Sequence, residues 1–150
     1  MWAADAASDK DPQALKDSDC LFIARYVGTR YQRYGVSRQY IDDCLGVGVG
    51  VMLIFEEWAS QFLGGYNAAR DCCARMMESW NNLGAPLDGS VIPAVVILDP
   101  SPSAAYGNEA ALQDFARGWN DCLPFNEFTG YGSRYSLDLA GAVAPKMTRL

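Results

Sequence analysis

The chain has 150 residues, of which half are hydrophobic, 12% aromatic and 20% charged, with a formal net charge of −6 and no histidine. This length suits a single domain, residues 1–150, with a sizeable core, and the balance leaves no disordered tail. The acidic charge, with no Lys/Arg cluster to displace counterions from phosphates, argues against nucleic acid. The absence of histidine excludes Ser–His–Asp and Cys–His nucleophiles.

In chain order, "MWAAD" is a short apolar strand closed by Asp5. In "ASDKDPQALKD", Ser8, Asp9 and Asp11 are candidate caps for a short helix with Pro12 in its first turn. "CLFIARYVG" reads as a buried strand over residues 20–27, stopped by Gly28. "GVSRQYIDDCLGVG" is helical, with Ser37 as N-cap and Tyr40, Ile41, Cys44 and Leu45 on one stripe. "VGVMLIF" follows as a strand.

"GGYNAARDCCARMMESWNNLG" is the clearest helix: Ala69, Cys72, Cys73, Met76, Met77 and Trp80 recur at helical spacing, and Gly84 stops it. "VIPAVVIL" is a strand with Pro93 near its beginning. "NEAALQDFARGWNDCL" is a helix capped by Asn108, with Ala111, Leu112, Phe115, Trp119 and Cys122 inward. "EFTGYG" is a short fifth strand, and "SRYSLDLAGAV" the last helix.

Strand then helix, five times over, implies parallel strands joined by right-handed helical crossovers. All strand C-terminal ends then share one edge, where α/β proteins place their sites. Polar groups stand at those ends: Asp5, Arg25 with Tyr26, Glu56 with Glu57, Asp99 and Tyr131. Charges that are costly inside a sheet are tolerated at its mouth, so Asp5, Glu56 and Asp99 are candidate catalytic carboxylates. "GVGVG" (Gly46 to Gly50) mimics a phosphate-binding loop but precedes a strand, which is the wrong geometry.

The five cysteines contain no C-x-x-C pair and are read as reduced core residues; no metal site or cofactor is expected. No run approaches the roughly 20 apolar residues of a membrane span, and no secretory signal is visible.

Taken in order, "WAADAAS", "FIARYVG", "GVGVMLIFE", "GGYNAARDCCARMMESWNNLGAP" and "EFTGYGS" resemble the glycoside-hydrolase-like domain family of actinobacterial secreted proteins and phage proteins, relatives of the (β/α)-barrel lysozymes. The resemblance covers nearly the whole chain. It implies a barrel mouth lined by Asp5, Glu56 and Asp99, with Arg25, Tyr26 and Tyr131 beside them as substrate-binding residues. The chain departs from the family at "ILD", where Ile97 replaces the first acid of an Asp-x-Asp, and at Asn67, where the family helix often has Asp.

A complete (β/α)8 barrel takes typically ~250 residues, and five units are legible here. The expected fold is therefore an α/β, parallel β/α-barrel-like sheet of about five units, an incomplete TIM-type barrel whose open side a partner subunit covers. The alternative is an open five-stranded doubly wound sheet with helices on both faces. "APKMTRL" lies about where a sixth strand begins.

Two functions follow. One is a binding or structural module that engages cell-wall glycan from a phage tail, virion or cell envelope, with weak or no catalysis. Its surface candidates are Trp2, Trp58, Phe62 and, best, the "TRYQRYG" loop with Arg30, Tyr31, Arg33 and Tyr34 as an interface. The other is an active glycosidase with Asp99 as acid and Glu56 or Asp5 as the second carboxylate, ~5 Å apart if retaining and ~6.5–9.5 Å if inverting. Tyr26 and Tyr131 would then stack on or hydrogen-bond a sugar ring.

Overall fold

The computed structural model describes residues 2–5, 8–28, 35–56, 59–98 and 106–149. The elements run β1 (Trp2–Asp5), α1 (Pro12–Asp17), β2 (Cys20–Val27), α2 (Arg38–Val47), β3 (Gly50–Phe55), a 3-10 turn (Ala59–Gly64), α3 (Gly65–Leu83), β4 (Val91–Leu98), α4 (Glu109–Cys122), β5 (Phe128–Gly132), α5 (Arg134–Gly141) and β6 (Met147–Arg149). Local chemistry explains most boundaries. Asp11 accepts hydrogen bonds from the Gln13 and Ala14 amides at the start of α1, and Ser37 and Ser133 do the same for α2 and α5. Gly48 and Gly84 end α2 and α3 with φ of 83° and 69°, a conformation that costs other residues a steric clash. Asn108 holds the N-cap position of α4 without a side-chain capping bond.

The strands form one open sheet in the order β1-β2-β3-β4-β5-β6, and every neighbouring pair is parallel. Six strands are present where five were expected. The sixth is only Met147–Arg149, paired with β5 through Phe128, Thr129 and Gly130. Gly130 makes room for it, since a Cβ there would lie 2.5 Å from the Met147 sulfur.

The two faces of the sheet differ in kind. Ile23 and Val27 of β2, Val51, Leu53 and Phe55 of β3, and Val95 of β4 belong to one large core. To it α1 contributes Leu15, α2 Ile41, α3 Met76, α4 Leu112 and α5 Leu137. The alternate strand residues form a second, smaller cluster of Ala24, Met52, Ile54 and Ala94, flanked by Phe22, Tyr26, Ile92 and Val96, and drawn from strands alone. All five described α-helices therefore cover one face. Strand order never reverses, so successive right-handed crossovers keep returning to the same side. This is the winding of a barrel and not of the doubly wound alternative. The centre of the helix-free face is closed within the single chain: Ala24, Met52, Ile54 and Ala94 are at most 4% exposed.

Helices α3 and α4 pack most tightly. A Cβ on Gly118 would meet the Ala69 Cβ and the Tyr66 carbonyl oxygen, both at 2.6 Å. This close approach brings Cys73 and Cys122 to a Cα–Cα distance of 6.5 Å, and they form a disulfide. The reading of all five cysteines as reduced is corrected on this point. Cys20, Cys44 and Cys72 are buried thiols. Phe62, read as a surface aromatic, is 3% exposed and lies in the main core.

Candidate functional site at the C-terminal edge of the sheet

Parallel pairing brings every strand end to one edge, and period-two alternation decides which end residues look into the helix-free side. Tyr26 follows Ala24 in that alternation, is in register with Ile54 and is half-buried. Glu56, the first residue after β3, stands at the same edge and is also half-buried. Tyr131 is in register with Val96 and is 38% exposed. One step deeper, Thr129 is in register with Ala94 and with Thr148, and the two threonine hydroxyls lie 3.4 Å apart. The face thus grades from aliphatic at its centre to phenol, hydroxyl and carboxylate at this edge. The strands bearing Glu56 and Tyr131 are separated by two strand spacings, about 10 Å.

The other sequence candidates are placed differently. Asp5 is the last residue of β1, and its backbone is in register with Ala24, itself in register with Met52, four positions before Glu56. Asp99, Glu57, Trp58 and the proposed interface residues Arg30, Tyr31, Arg33 and Tyr34 lie outside the described residues. Arg25, expected beside the cleft, shares the alternation of Ile23 and Val27 and so lies on the helix side. It is 1% exposed, ion-paired with Asp9, and its guanidinium carbon sits 5.2 Å from the centre of the Tyr40 ring. The Lys10 amide donates to the Tyr40 hydroxyl at 3.1 Å. Burial pushes the Tyr40 phenol and the Cys44 thiol above their ordinary values. Arg25 therefore clamps the segment before α1, and α2, onto β2; one step along a strand separates that role from a place in the cleft.

A second group at this edge escaped the sequence reading. Tyr106 lies in the β4–α4 connection and Tyr135 in the first turn of α5, and their rings stack with centroids 4.7 Å apart at 28°. The Tyr135 hydroxyl and the Gly107 amide both donate to Oε1 of Glu109, each at 3.1 Å. The Glu109 amide and the Gly107 amide hold that carboxyl below its ordinary value, and burial raises the Tyr135 phenol. Nothing in the local sequence joins Tyr106 to Tyr135; only the adjacency of successive βα units does.

Among the described residues, no three acids or thiols converge on a metal-sized site, and no helix is long and apolar enough to cross a membrane. The sequence matches no family model and no curated protein. Among solved structures it is similar to the Mycobacterium tuberculosis Tat-secreted protein Rv2525c, in complex with HEPES (TM-score 0.71) and in complex with L-tartrate (TM-score 0.68). In both cases the identity is 17%, over 93% of this chain and 71% of the other. What the two proteins share at that identity is a fold: an α/β architecture that a secreted actinobacterial protein also uses.

Proposed function

We propose that this chain is an extracytoplasmic, glycoside-hydrolase-like module that engages cell-envelope glycan at the C-terminal mouth of its sheet, by binding and not by hydrolysis. The observation that carries the reading is the position of Tyr26, Glu56 and Tyr131 at one edge of the sheet, with Tyr26 and Tyr131 on its inner face by register. Phenols supply flat apolar surface with a polar tip, and a carboxylate accepts hydroxyl hydrogens, which is the combination a sugar ring calls for. The family resemblance supports the same substrate class. The Cys73–Cys122 disulfide suits an oxidising compartment, as does the likeness to a Tat-secreted protein. Between the two expected settings, virion and envelope, that likeness favours the envelope.

Hydrolysis requires two carboxyl groups at a set separation, and Ile97 stands in place of one family acid. Binding without turnover needs only the rim. The test is co-sedimentation with purified peptidoglycan sacculi alongside an assay for released reducing sugar. Wild type is expected to sediment and to release none, and Glu56→Gln to sediment severalfold less with an unchanged melting temperature. Protein left in the supernatant over intact sacculi removes the reading. Sugar release abolished by Glu56→Gln or Asp99→Asn replaces it with the glycosidase.

A further inference from the structure

The geometry points to Tyr106, backed by Tyr135 and flanked by Glu109, as a stacking platform for one uncharged pyranose ring, set beside the mouth described above. This inference rests on the glycan-binding reading and extends it to residues that neither the motif nor the strand-end pattern names.

Tyr106 is 60% exposed, the most exposed tyrosine among the described residues, although one face of its ring is covered by Tyr135. The stack fixes the ring's tilt and leaves its outer face to solvent. Tyr135 is itself fixed, because its hydroxyl donates to Glu109. A ring held from behind loses little freedom when a ligand lands on it, so more of the contact energy appears as affinity. The platform also has a polar edge. Two donors occupy Oε1 of Glu109, and an ionised carboxylate offers about four acceptor sites, leaving capacity for sugar hydroxyls.

Ligand class follows from shape and charge. The two rings are near-parallel and present a single flat face, which matches the C–H face of a pyranose. An aromatic cage for a quaternary ammonium needs rings on several sides of the cation, and a 28° stack does not provide them. Glu109 together with the chain's net charge of −6 disfavours anionic polymers. The platform stands at the same edge of the sheet as the site, since Tyr131 is near the end of β5 and Tyr135, four residues later, is in the first turn of α5.

The experiment is calorimetric titration of the full chain with chitotetraose, an uncharged β-1,4-linked N-acetylglucosamine tetramer, with sacculi sedimentation in parallel. Tyr106→Ala is expected to weaken chitotetraose binding about tenfold, and Tyr106→Phe, which keeps the stack, to stay within about twofold. Circular dichroism of both variants checks that this surface change leaves the fold intact. If Tyr106→Ala binds chitotetraose like wild type while Glu56→Gln binds it weakly, the platform is wrong and the mouth stands. Wild type that ignores chitotetraose but sediments with sacculi also overturns the platform and spares the function. Wild type that ignores both removes the two together. Tetramethylammonium binding that Tyr106→Ala abolishes, without chitotetraose binding, assigns the rings to a cation and overturns the proposal.

Discussion

On the helix side of the sheet, Leu53 and Phe55 of β3 meet a layer that includes Trp80, Trp119 and Met76, all at most 2% exposed and tied across α3 and α4 by a disulfide. On the other side of the same strand, Met52 and Ile54 cluster, among the described residues, with residues of neighbouring strands, two of them alanines, and Glu56 follows directly after the strand. Adjacent residues of one strand thus serve different ends. The helix side carries large, closely packed side chains that specify the fold. The inner side carries a smaller cluster in which Ala24 and Ala94 stand beside Met52 and Ile54, and toward the C-terminal edge it gives way to the polar groups Tyr26 and Tyr131.

Four measurements break or sharpen this contrast. The largest effect is expected for Leu53→Ala, a loss of about 4 kcal/mol by chemical denaturation, because the helix layer leaves the cavity little room to collapse. Replacing both Cys73 and Cys122 by alanine is expected to cost about 3 kcal/mol and to lower the melting temperature, with no further effect of reductant on the double variant. Ile54→Ala, one residue from Leu53, is expected to cost about 2 kcal/mol, the low end for such a truncation. Equal losses for Leu53→Ala and Ile54→Ala would erase the distinction between the faces.

The smallest effect concerns acid. The Glu109 carboxyl is held below its ordinary value of 4.5 in the folded chain, first by its own amide and then by that of Gly107. Its contribution to stability is therefore complete above that ordinary value and is lost as pH falls through the lower folded one. Melting curves from about pH 6 to pH 3 are expected to show a small gap between wild type and Glu109→Gln that closes on acidification. A gap that widens instead would mean that the Tyr135 and Gly107 bonds do not favour the charged form.

Much of this architecture was legible in the sequence because long apolar runs and helical stripes are local signals. β2, β3 and β4, the α3 stripe and the caps at Asp11 and Ser37 all follow from residues within one turn or one strand. β6 falls within "APKMTRL", where a sixth strand was expected to begin, but "MTR" has no apolar run to define it; its place is decided by Gly130 admitting Met147. The disulfide was missed because Cys73 and Cys122 are 49 residues apart and meet only through the α3–α4 contact around Gly118. The polar strand ends marked the edge at which a site is proposed, but they could not assign faces. Arg25 and Tyr26 are adjacent, yet one clamps the segment before α1, and α2, while the other packs on the opposite face of the sheet. Tyr106, Glu109 and Tyr135 stayed hidden because each stands at an ordinary helix start and becomes a cluster only across two βα units.

Among the described strands, each pairs only with those before and after it in the chain. A nascent polypeptide can therefore lay down one βα unit against the preceding one as it emerges, with no early segment waiting for a late one to complete its pairing. The exception is the covalent bond between α3 and α4, which must await the fourth helix. Assembly in this manner is closer to adding courses of brick than to closing a clasp, and the oxidation step marks the point after which the middle courses no longer come apart.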